Sequence, residues 1–145
     1  MKKISLENYR TDKFYPRIVR AVDQILAKGD VVTPLDVFLH MGLVDAEAIQ
    51  SWRHGQTPYL ERVIKCNLSA ASRILRVLRM HVHDLNLRPS LTTYVRQGKG
   101  RRSPLRFTRT GEPKIEEAYS RHFVRVVSRK QLMRNDSDDD AAGGD

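Results

Sequence analysis

Apolar residues fall at helical spacing through the first third of the chain. Phe14, Ile18, Val22 and Ile25 recur three or four apart, with Ala21 and Leu26 beside them, and predict a helix over residues 9–28. Gly29 offers a left-handed stop. Thr33 and Pro34 open a second helix as N-cap and first helical residue, with Asp36 in the positive first turn. Leu35, Phe38 and Leu39 form its stripe, and Gly42 ends it. A third, short helix is capped by Asp45, turns Ile49 and Trp52 inward and stops at Gly55. Thr57-Pro58 then opens a longer pattern: Leu60, Ile64, Leu68, Ala71, Leu75, Leu78, Val82 and Leu85. Unbroken to Asn86, it predicts a helix about 43 Å long. Such a helix either bends near residues 69–72 or supports a dimer, and one long helix is the expectation here.

The period changes after Pro89. Leu91 to Arg96 is rich in Thr, Tyr and Val and predicts a strand, with Leu105 to Thr108 as its partner. Between them lies the basic, glycine-rich tip at residues 97–104. Gly111 breaks the second strand, and Pro113 starts a closing helix through about His122, with Ile115, Ala118 and Tyr119 facing in. Residues 124–130 read as strand or tail. The expected fold is mainly α: a helical domain with a helix-turn-helix-like corner, a long central helix, and a small C-terminal β-hairpin with its closing helix. The expected divisions are an N-terminal arm (1–8), a helical region (9–88), the hairpin and closing helix of the same domain (89–130), and a disordered acidic tail (131–145).

Charge sharpens this picture. The chain has 145 residues and a formal net charge of +9; its last ten residues hold five Asp and no base, so residues 1–135 carry +14. A field of that sign attracts polyanions, and a nucleic acid is the default partner. The single Cys66 excludes an intramolecular disulfide and fits a cytoplasmic protein. No apolar segment follows Met1-Lys2-Lys3, so no signal peptide is expected, and no apolar run is long enough to span a membrane. Asn67-Leu68-Ser69 matches a glycosylation acceptor by chance.

Residues 33–64 carry a resemblance. Phe38-Leu39-His40-Met41-Gly42-Leu43-Val44, followed by Ile49, Trp52, Gly55, Pro58 and Leu60, resembles the helix-turn-helix of phage-repressor (Cro-like) domains. Relative to that pattern, the gap from Gly42 to Ile49 is longer, the gap from Gly55 to Pro58 is shorter, and Arg53 stands where Glu is usual. The resemblance implies that the outer face of the third helix enters a DNA major groove, presenting Glu47, Gln50, Ser51 and His54. Gln50, Ser51 and His54 are then the candidate base contacts. Asp45 and Glu47 at the start of that helix oppose phosphate. The alternative is a compact helical corner with Trp52 in the core.

The basic loop is the stronger candidate. Arg96, Lys99, Arg101, Arg102, Arg106 and Arg109 fall within fourteen residues that contain no acid. Arg donates bidentate hydrogen bonds to phosphate, and Gly98 and Gly100 let backbone amides approach it. Tyr94 and Phe107 either stack on bases, as in single-strand binders, or pack in the core. Arg62, Lys65, Arg73, Arg76 and Arg79 on the long helix form either a second nucleic-acid face or the wet side of an amphipathic helix.

No catalytic grouping emerges, and no cofactor, metal or small-molecule substrate is expected. His81 and His83 point about 200° apart on a helix and cannot share one ion. Glu112, Glu116 and Glu117 with His122 form either a carboxylate–histidine group or a favourable helix start. The chain as a whole also resembles a group of small uncharacterised bacterial proteins, through residues 52–63, 94–100, 104–107, 110–113 and 119–123. That resemblance implies a bacterial origin and one intact domain.

The function expected is non-enzymatic nucleic-acid binding, with double-stranded DNA favoured over RNA. The alternative is a protein-interaction subunit of a larger bacterial complex, or a homodimer, using the long helix and the basic loop. The acidic tail is either an intramolecular competitor for the basic face or a solubilising extension.

Overall fold

A computed structural model describes residues 5–126. Its elements run α1 (Tyr15–Leu26), β1 (Val31–Val32), α2 (Pro34–His40), α3 (Ala46–Arg53), α4 (Leu68–Asp84), β2 (Leu87–Leu91), α5 (Pro113–Ser120) and β3 (Arg121–Arg125). The fold is mainly α, with one small antiparallel sheet in the order β1-β3-β2. The acidic tail at 131–145 lies outside the described residues.

Local chemistry explains the first three helices. α1 buries Ile18, Ala21, Val22 and Ile25, and its first turn follows a separate 3₁₀ turn at Tyr9–Thr11, so the helix expected from residue 9 begins later. The break is held by Asp12, buried and ion-paired with Arg73 of α4. The Thr33 hydroxyl accepts from Asp36 N at 3.0 Å, as an N-cap should. Asp45 occupies the N-cap position of α3 without a capping bond; its carboxylate pairs instead with Lys65 at 2.8 Å.

The single long helix is not formed. Residues 60–65 are drawn away by backbone bonds to distant segments: Leu60 N to Arg106 O (3.1 Å), Glu61 N to Phe107 O (2.8 Å) and Lys65 N to Leu43 O (2.7 Å). The helix restarts at Asn67, whose side chain accepts from Ala70 N at 2.7 Å. α4 has 17 residues, about 26 Å of helix. Leu75, Leu78 and Val82 are buried within the molecule.

The expected hairpin is also different. Residues 91–96 and 105–108 form no ladder; one isolated bridge joins Val95 to Pro104. The strand lies earlier, in β2, which straddles the expected division at residue 88 and pairs with β3 from Leu87↔Arg125 to Leu91↔Arg121. Pro89 is tolerated there because β2 is a sheet edge. The closing helix ends at Ser120, and His122 belongs to β3. The Arg125 guanidinium bonds the carbonyls of Leu26 and Gly29, stopping α1 with a cation.

One apolar cluster runs from Tyr9 to Phe123 and includes residues of every helix. At its centre Trp52, Phe107, Tyr119 and Phe38 pack in series, with centroid separations of 4.8, 5.0 and 5.9 Å, and the Phe107 and Tyr119 rings are parallel.

Candidate functional site

The basic loop is fastened to the protein at both legs. On the first leg, Gln97 N donates to Arg53 O at the end of α3 (2.7 Å), and Arg96 N donates to Ser103 O across the loop (2.9 Å). On the second, the Trp52 indole donates to Arg106 O at 2.7 Å. Glu116 of α5 then accepts from Phe107 N (3.0 Å), Thr108 N (2.7 Å) and the Thr108 hydroxyl (2.6 Å). A carboxylate that gathers several donors is a strong, directional anchor. Glu116 is therefore spent on the loop, Glu117 pairs with Arg121, and the expected group of Glu112, Glu116, Glu117 and His122 is not assembled.

The six loop bases divide into two sets. Arg96 donates to Lys99 O at 2.7 Å, and Arg106 donates to the carbonyls of Thr108 and Arg109. These two guanidinium groups hold the loop's shape. Lys99, Arg101, Arg102 and Arg109 are exposed and have no side-chain partner among the described residues. None of the six is ion-paired with a carboxylate among those residues.

The loop meets the end of α3. Gly55 has φ +78°, and a Cβ there would lie 2.8 Å from Arg96 Nε. A Cβ on Gly98 would lie 3.3 Å from His54 Nδ1. Gly55, expected to stop α3, and Gly98, expected to let backbone amides approach phosphate, also admit these neighbouring side chains. His54 is thus brought to the basic loop. Gln50 is exposed on α3, and Ser51 is half-buried.

Tyr94 and Phe107 are core residues, at 8% and 1% exposure, which removes them as free stacking platforms. The expected basic face of the long helix is dispersed: Arg62 and Lys65 precede α4, Lys65 pairs with Asp45, and Arg73 turns inward to Asp12.

Beside the loop lies a cleft of about 550 Å³ that the sequence did not reveal. Arg53, Arg96 and Arg102 line it, with Asp36, Thr92 and His122. The Tyr94 hydroxyl lies 2.9 Å from His122 Nε2, and Thr92 Oγ1 lies 3.3 Å from Nδ1. The Arg53 guanidinium sits over the Tyr94 ring, 5.3 Å from its centroid. Burial lowers the His122 pKa, which nearby Asp36 partly opposes. Burial likewise raises that of Tyr94.

Among the described residues, no group of three or more His, Cys, Asp or Glu is placed to hold a metal, and no helix is long and apolar enough to cross a membrane. No family model, no curated protein and no solved structure matches the chain.

Proposed function

We propose that this protein binds nucleic acid without catalysis, double-stranded DNA before RNA, through the loop at residues 96–109. The observation that carries the reading is the set of unpaired cations on that loop: Lys99, Arg101, Arg102 and Arg109, exposed on a segment anchored at both legs. Cations without carboxylate partners release counterions from phosphate at no cost in broken ion pairs. Anchoring reduces the ordering entropy that binding would otherwise incur. His54, at the C-cap of α3, lies beside Gly98 of the loop, which supports a reading in which the end of α3 contacts bases while the loop holds phosphates. The Asp45–Lys65 pair offsets one of the two carboxylates at the start of α3.

The reading as a protein-interaction subunit or homodimer has lost its main support, because Leu75, Leu78 and Val82 are buried inside the molecule. The acidic tail as a competitor for the loop is tested by deleting residues 136–145. Non-specific affinity at low salt should rise, and unchanged affinity removes the idea.

Fluorescence polarisation with random duplex DNA, single-stranded DNA and structured RNA tests the main reading. Micromolar or tighter binding that weakens steeply with salt is expected, with the duplex ranked first. No binding at low salt overturns it. Gln50→Ala should change sequence preference, and equal losses on every sequence remove α3 as a reader.

A further inference from the structure

We propose that the cleft between α3, β3 and the basic loop is a phosphomonoester site of mononucleotide size, which takes the phosphorylated end of a strand lying along the loop. The inference rests on the nucleic-acid reading above and adds a ligand that the loop alone does not specify.

Contacts to a continuous phosphate backbone need only a surface, whereas this site is a concavity of about 550 Å³, in the size range of small-molecule sites. Arg53, Arg96 and Arg102 line it against one carboxylate, Asp36, an excess of two positive charges with His122 neutral. A phosphomonoester is close to a dianion at neutral pH, whereas each internal diester carries one charge. None of the three arginines is ion-paired among the described residues.

The Thr92 hydroxyl and the His122 ring lie on the cleft wall, and a hydroxyl can turn its proton toward a bound oxyanion. Arg53 is fixed over the Tyr94 ring, with its remaining N–H groups able to serve an oxyanion. Asp36 is an acceptor suited to the exocyclic amino group of adenine, guanine or cytosine, so the one acid has a partner on the same ligand. Arg96 and Arg102 belong to both cleft and loop, which makes the terminal phosphate continuous with the strand path.

The test compares one duplex carrying 5′-hydroxyl, 5′-phosphate or 3′-phosphate ends, with adenosine and adenosine 5′-monophosphate as competitors. Phosphorylation at one type of end should tighten binding about tenfold, the size of one charge-assisted hydrogen bond. The monophosphate, and not adenosine, should erase that gain. Arg53→Gln and Thr92→Val should each reduce the preference for phosphorylated ends while leaving binding of the hydroxyl-ended duplex and its salt slope unchanged. Equal affinity for all ends, with no competition by the monophosphate, overturns the proposal and leaves the loop reading standing. Direct binding of the monophosphate without binding of any duplex supports a free nucleotide as the ligand and overturns the strand-end assignment together with the nucleic-acid reading. Binding of neither overturns both.

Discussion

Trp52 ties α3 to the second leg of the loop through its one indole donor. Its indole N–H donates to Arg106 O, and its ring is fully buried against Phe107. Trp52→Phe keeps an aromatic ring but removes one of the two donors to that carbonyl, which Leu60 N still serves. The loss should be about 1 kcal/mol, measured by urea unfolding followed in the far-ultraviolet. Gly55→Ala acts on the same joint from outside, because φ there is +78° and the added methyl meets Arg96. It should cost at least about 1 kcal/mol and displace the first leg of the loop. Histidines add a pH dependence. Burial holds His81 and His122 below the ordinary value of 6.5, so the unfolded chain takes up protons first as pH falls. Stability is therefore full above pH 6.5 and declines below it, through the folded-state values. Glu61, raised by burial, acts with the opposite sign above its ordinary 4.5. The difference between wild type and His81→Leu isolates the imidazole part: the variant should lose less stability between pH 7 and pH 5, and parallel curves contradict the assignment.

At the scale of elements, caps and anchors decide where structure starts. Asn67→Ala removes the N-cap of α4 and should cost about 1 kcal/mol, with Asn67→Asp restoring most of it. Glu116→Ala removes the acceptor for Phe107 N, Thr108 N and the Thr108 hydroxyl. It should free the loop, seen as faster proteolysis near residues 99–102 and a red shift of Trp52 emission; unchanged digestion contradicts the anchoring role. The same residues explain what the chain disclosed. α2 and α3 were legible because Thr33, Pro34, Gly42 and Gly55 are local signals that the structure uses locally. The break before α4 was not, since Leu60, Ile64 and Leu68 keep helical spacing through it, although Leu68 is 62% exposed. Asn67 is the one local signal of that break, because its side chain caps α4. The 91–108 hairpin is reduced to one bridge and two backbone bonds for a related reason. Its β-prone residues bond to Trp52, Leu60, Glu61 and Glu116, partners that no local pattern indicates. The basic loop was legible because charge composition survives any error in secondary structure. The cleft was not, because Arg53, Thr92 and His122 meet only through the fold.

For the whole molecule, the core and the loop divide the work. The aromatic series fixes α2, α3, α5 and the loop's second leg in one body, and the six loop cations have no ion-paired carboxylate among the described residues. Arg96 and Arg106 shape the loop; Lys99, Arg101, Arg102 and Arg109 face solvent. Substituting the first pair should lower both stability and binding, and substituting members of the second set should lower binding alone. The most direct measurement is the salt dependence of duplex DNA binding by the wild-type protein and by the double variant Lys99→Ala/Arg101→Ala, at matched stability. Two lost phosphate contacts should reduce the slope of log K against log salt by about 1.8, with equal weakening on every sequence. A slope unchanged by the double substitution contradicts the assignment of the loop as the phosphate-binding surface.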